Sequence, residues 1–177
     1  MSGEMRKVYA DALRELFAEG LAAVSPNFGF VRRHGPLAGT PGERAYRRAV
    51  SRDLLQWLVI VPDAKREAFF LEIGWSRRGR FPQLTMRPSP VRPGDAGSQE
   101  EVLVRLREVA GEHDFGWTIE EPPMGGTHED MLAYLVAQAE PLAPNVARAR
   151  VAPRVDEALA LWIGVGLPFL ERHAGGA

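Results

Sequence analysis

The chain predicts an α+β fold, an antiparallel β-sheet of about four or five strands packed against an N-terminal helix and C-terminal helices. Three observations lead there. Apolar residues recur at three- and four-residue steps from Met5 to Val24, two β-rich runs flank a polar turn between Leu54 and Trp75, and helical patterns return only after Gly97.

In the first segment Met5, Val8, Tyr9, Ala12, Leu13, Leu16, Phe17 and Leu21 form the stripe of an amphipathic helix, and Ser25-Pro26-Asn27 ends it. Phe28 to Val31 reads as a short strand, and the Gly/Pro-rich stretch His34 to Gly42 as a loop. Tyr46 to Arg52 alternates as a strand does. Leu54 to Val61 is apolar on both faces apart from Gln56, which predicts a central strand covered by helix on at least one side. From Phe69 to Trp75, residues Phe69, Leu71, Ile73 and Trp75 share one face while Phe70, Glu72 and Gly74 share the other. Pro62 to Glu67 is polar and turn-forming, so the two strands are expected to pair as an antiparallel hairpin.

Ser76 to Gly97 contains Pro82, Pro88, Pro90 and Pro93, and predicts an extended loop with at most a short strand near Gln83 to Met86. Ser98-Gln99-Glu100-Glu101 has the form of a capping box and predicts a helix whose core face is Val102, Leu103, Leu106, Val109 and Ala110. Gly111 or Gly116 would stop it. Trp117 to Ile119 fits a last short strand, and Thr127 with Asp130 starts another helix with Leu132, Leu135, Val136 and Ala139 along one face. A final helix is expected from Pro153 to about Gly164, resuming from Leu167 to Arg172 after a kink or break at Gly164, Gly166 and Pro168. No repeat and no domain boundary is visible. The 177 residues predict one α+β domain with an extended basic loop at 76–97, large enough to bury roughly 70% of its unfolded surface.

Composition excludes several chemistries. No cysteine is present, which removes thiol nucleophiles, disulfides and thiolate metal sites. Charged residues interrupt the N-terminal segment, no apolar run approaches the roughly 20 residues that span a bilayer, and the expectation is a soluble cytoplasmic protein. Net charge is −1 but unevenly placed: residues 30–94 carry 13 Arg or Lys against 5 Asp or Glu, and residues 95–177 carry 6 against 14. A local basic face is therefore compatible with a near-neutral chain.

The histidine and acid clusters have structural explanations. His128-Glu129-Asp130 follows the N-cap Thr127, where a helix dipole favours acids, and Glu112-His113-Asp114 sits at an expected helix end. No pair of histidines is spaced to hold zinc on one helical face. His173 reads as a solvated terminal side chain. Gly35 to Gly42 lacks the lysine and hydroxyl of a phosphate loop, and no activated-serine signature occurs. These patterns call for no cofactor and no metal.

Arg77, Arg78, Arg80, Arg87 and Arg92 are interleaved with Phe81. They suit a solvated loop, an acidic protein partner, or single-stranded nucleic acid stacked on the aromatic ring. Gln56 and Glu72 are polar within apolar strands. On a shared face they could bond one another or receive Arg44, Arg47 or Arg48, whereas one-sided sheet exposure explains them without a ligand.

The succession Phe28-Gly29-Phe30, the arginine-bearing strand Arg44 to Arg52, Gln56 in an apolar strand, Phe70-Leu71-Glu72-Ile73-Gly74 and the closing Gly166-Leu167-Pro168-Phe169-Leu170 resembles an uncharacterised bacterial family, domain of unknown function 4304. Glu72 stands where that family more often has asparagine. The resemblance implies the same α+β fold and a bacterial origin, and relatedness to small immunity-like or defence-associated proteins. It brings no activity with it.

The leading expectation is a non-enzymatic interaction module whose basic sheet-and-loop face, formed by Arg44, Arg47, Arg48, Gln56, Glu72, Arg77, Arg78, Arg80 and Phe81, meets an acidic protein. Two alternatives stand beside it. One is nucleic-acid binding through the arginine-rich loop, and the other is an enzyme whose acid-base residues, Glu72 and His34, converge only in three dimensions.

Overall fold

The computed structural model describes residues 5–33 and 39–175, and its sheet is antiparallel throughout. The elements in order are α1 (Lys7–Val24), β1 (Gly29–Val31), β2 (Arg44–Ala49), β3 (Leu55–Asp63), β4 (Ala68–Ser76), a 3₁₀ helix (Pro93–Ser98), β5 (Glu101–Arg105) and α2 (Leu106–Val109). There follow β6 (Trp117–Thr118), α3 (His128–Ala139), α4 (Pro144–Leu161), a π-helical turn (Trp162–Gly166) and α5 (Leu167–Ala174). Strands β1 to β5 pair in sequence order, and β6 joins the same edge of β4 as β5, opposite Ala68 and Phe69.

The hairpin of β3 and β4 is the centre of the sheet, with Leu55 opposite Ser76 and Asp63 opposite Ala68. It runs two residues further than the sequence suggests, through Pro62. Strand β2 has already ended at Arg44, opposite Ile60, so no neighbour on that side needs the N–H that proline lacks. Alternation divides the hairpin cleanly. Leu58, Ile60, Phe69, Leu71, Ile73 and Trp75 face the helices, where they bury against Tyr9, Leu13, Phe17 and Leu21 of α1 and Val151, Val155 and Leu159 of α4. Leu55, Trp57 and Val59 face the other way and form a smaller cluster with Ala45 and Leu103, covered by Phe81 and Leu84. Segment 77–92 thus lies across the face that has no helix, and it contains no strand.

Residues 101–105 are the main departure from the expected order. The capping-box pattern at Ser98 predicts a helix, yet the Ser98 hydroxyl donates to Asp95 O and closes the preceding 3₁₀ helix. Val102 and Val104 enter the helix-side core while Leu103 enters the other cluster, a two-sided burial that a strand satisfies and a surface helix does not. Gly74 admits this strand, since a Cβ there would lie 1.8 Å from Val102 O. Ser89 then covers the outer edge of β5, its N–H donating to Leu103 O at 2.6 Å and its hydroxyl accepting from Leu103 N at 2.9 Å.

Helix α3 begins where expected, with the capping box of Thr127 and Asp130, but none of its residues is buried, and Leu132, Leu135 and Val136 are exposed. The last helices differ from expectation. Helix α4 begins at Pro144, and Pro153 sits inside it. Pro153 is exposed, so the carbonyl it leaves without an intrahelical donor is on the wet side. The expected break near Gly164 is a π-helical turn through which the helix continues. Trp162, buried in that turn, donates from Nε1 to Ser25 Oγ at 2.9 Å and packs edge-on to Phe28.

Candidate functional site

The polar residues of the sheet fall into two separate places. Gln56 is opposite Trp75 and points to the helices, whereas Glu72 is opposite Val59 and points to the loop-covered face. They cannot meet. Gln56 is fully buried and fully engaged: its amide donates to Ala174 O at 2.8 Å and Leu170 O at 3.4 Å, and its carbonyl oxygen accepts from Arg48 Nε at 2.7 Å. These bonds satisfy the carbonyls that the end of α5 leaves over, and they tie the last helix to β3.

Glu72 occupies a line of alternating charge. Its register partner on β5 is Arg105, whose Nε is 3.4 Å from one carboxylate oxygen, while Arg87 Nε donates to the other. Arg87 Nη1 continues to both oxygens of Glu43 at 3.0 and 3.1 Å, and Glu43 also accepts from Arg33. At the far end Arg105 Nε lies 3.6 Å from Asp114. The sequence of charges is Arg33, Glu43, Arg87, Glu72, Arg105, Asp114, and the side chains of Glu43 and Glu72 are only 1% and 2% exposed. Aromatic rings back the cations. Arg33 lies 3.4 Å from the Phe81 ring centre and Arg105 4.1 Å from that of Phe70, and Trp57 meets Phe81 edge-on at 4.9 Å.

Electrostatics along this line follow burial and partners. Burial works against the charge on Arg87, but the attraction of Glu72 and Glu43 outweighs it and raises its pKa. At Arg33 burial prevails over Glu43 and the pKa is lowered, and an arginine so placed remains a cation. Burial raises the pKa of Asp114 against the opposing pull of Arg105, the Gly116 N–H and Arg107. Both oxygens of Glu72 are held between guanidinium groups, which makes it a clamp for segment 77–92 and not a free base. His34, the proposed acid-base companion of Glu72, lies outside the described residues. Among the described residues no group of three His, Asp or Glu side chains could hold a metal ion.

Of the other loop arginines, Arg77, Arg78 and Arg80 are also engaged. Arg77 donates to His173 O at 2.8 Å, at the end of α5, and Arg80 makes a two-point contact with Glu101 at 3.1 and 3.2 Å. Arg78 is 3.8 Å from Glu100 on the surface. Phe81, expected as a stacking platform, already touches Arg33, Arg87 and Trp57. His173 is half-buried, packed on Phe169 at 4.9 Å and Trp75 at 6.3 Å, where the sequence predicts a solvated side chain.

The strand arginines behave differently. Arg44 and Arg48 project to the helix side of β2, in register with Ile60 and Gln56, and Arg47 projects to the opposite side, in register with Trp57. Of the three only Arg47 shares the loop-covered face, and Arg44 and Arg48 lie on the other. Arg44 lies over Phe30 at 4.3 Å, Arg47 near Trp57 at 5.9 Å and Arg48 over Phe28 at 5.1 Å. Among the described residues none of the three forms an ion pair, and Arg47, with Arg32 just beyond β1, is exposed.

Comparison with protein-family models, with curated proteins and with solved structures finds no match. The site is therefore read from its own geometry. Sequence reasoning singles out Glu72 but not Arg33, Glu43, Arg105 or Asp114. The signal for Arg105 was present: once residues 101–105 are taken as a strand beside β4, Arg105 stands opposite Glu72 as a cross-strand pair. The helix reading of that segment hides it. Among the described residues no helix is long and apolar enough to cross a membrane.

Proposed function

We propose that this chain is a non-enzymatic interaction module that docks an acidic polypeptide along the open edge formed by β1 and β2. One observation carries the reading: Arg32, Arg44, Arg47 and Arg48 cluster at that edge with no ion-pair partner among the described residues. Strand β1 is three residues long, pairs only with β2, and carries a Phe30 that is 49% exposed. An added strand presents side chains alternately to both faces of a sheet, and this edge has cations on both, Arg44 and Arg48 on one side and Arg47 on the other. An immunity-type role, in which the module neutralises an acidic partner protein, is one instance.

The test titrates a fluorescent polyglutamate peptide and a single-stranded DNA of equal charge into the protein at low salt. The peptide is expected to bind, to weaken steeply as salt is added, and to be lost in the double variant Arg32→Glu and Arg47→Glu while Arg78→Glu is unaffected. Failure to bind the peptide, or tighter binding of the DNA, contradicts the proposal.

A further inference from the structure

A second feature lies on the helix side, away from the ion line. A cavity of about 590 Å³ opens between α1, the turn before β2 and the end of the β3–β4 hairpin. That volume is within the range of about 300–1,000 Å³ typical of small-molecule sites. Its floor is apolar, built from Met5, Ala10, Leu13, Ile60 and Pro62. Among the described residues four cations line it, Lys7, Arg14, Arg44 and Lys65, against one acid, Asp63.

The cations are not equivalent. Arg14 lies 3.0 Å from Asp11, and Lys7 lies 3.9 Å from the same carboxylate. Arg44 and Lys65 form no ion pair among the described residues. Arg44 is also held by its stacking on Phe30 and by a side-chain hydrogen bond with Tyr46. An apolar floor under a cationic rim calls for a ligand with an anionic head and a hydrocarbon body.

We propose that this cavity binds a medium-chain carboxylate, its chain lying on Leu13 and Ile60 and its carboxylate accepting from Arg44 at the rim, with Lys65 adding charge. Chain burial supplies the affinity and the guanidinium supplies the preference for an anion over a neutral amphiphile.

Isothermal titration calorimetry with decanoate, below the concentration at which it forms micelles, tests this against decanol of the same chain length. The expected result is saturable binding of one decanoate per chain with a negative heat-capacity change, and weaker binding of decanol. Arg44→Met is expected to weaken decanoate at least tenfold and leave decanol unchanged, and Ala10→Phe, which fills the floor, to abolish both. Should Arg44→Met fail to fold by circular dichroism, Lys65→Gln, at an exposed position, should weaken decanoate about threefold, the share expected of one rim charge. Unsaturable binding, equal affinity for decanol, or indifference to Ala10→Phe overturns the proposal. Lys65 and Ala10 take no part in the polypeptide-docking edge, so the two proposals fail separately.

Discussion

Strand β2 and segment 77–92 are both rich in arginine, yet the two regions use the residue in opposite ways. In the segment, Arg77, Arg80 and Arg87 each reach an internal acceptor: a helix-end carbonyl, Glu101, and the Glu72 and Glu43 pair. On β2, Arg44, Arg47 and Arg48 lie against aromatic rings and meet no carboxylate among the described residues, Arg48 donating to a neutral acceptor, Gln56 Oε1. Local density of positive charge is the same signal in both cases. What separates them is what the fold places opposite, because a segment lying over a sheet face must be fastened to it, whereas β2 is bordered on its outer side only by the three-residue β1.

The difference can be broken by substitution. Arg87→Met removes the cation between two nearly inaccessible carboxylates, and stability measured by urea unfolding should fall by about 3–5 kcal/mol. Arg47→Met, the matched change on β2, should stay within about 0.5 kcal/mol of the parent. Equal losses would erase the distinction between the regions. Gln56→Leu should cost about 1–3 kcal/mol, since the Leu170 and Ala174 carbonyls and Arg48 then lose a buried partner. Arg77→Ala removes a single charged bond to the end of α5 and should cost about 1.5 kcal/mol, with faster amide exchange in α5 as its local signature.

A smaller effect sharpens the view of the ion line. Burial raises the pKa of Asp114 in the folded chain, so the folded state holds that proton more tightly than the unfolded state does. Its contribution to stability is therefore present below the ordinary carboxylate range and is lost as pH rises through the folded value. Asp114→Asn should flatten that part of the pH profile of the urea midpoint. An unchanged profile would mean that Arg105 and Arg107 outweigh burial there.

Much of the fold was legible because hydrophobic period and burial agree. The stripe of α1 and the alternation of β4 each have one apolar face that points to one core, so the pattern fixes the element. Residues 101–105 misled because a local capping pattern competed with a run, Val102-Leu103-Val104, that is buried on both faces, and tertiary burial won. Helix α3 was legible from its cap, but nothing in its sequence says that Leu132, Leu135 and Val136 face outward. Glu72 could be singled out as a polar residue in an apolar strand. Its partners could not, because Arg33, Glu43, Arg87 and Asp114 come from segments whose approach only the folded chain defines. The internal partners of the loop arginines and of Phe81, among them Glu101, Glu43 and Trp57, were hidden for the same reason.

The most direct measurement compares a double variant, Arg32 and Arg47 to Gln at the edge, with a triple variant, Arg77, Arg80 and Arg87 to Gln in the segment, for both urea stability and polyglutamate binding. The account predicts that the edge variant keeps its stability and loses the peptide. The segment variant should lose stability and, under conditions where it remains folded, keep the peptide. Binding that depends on the segment arginines while the edge variant binds as the parent does would contradict it.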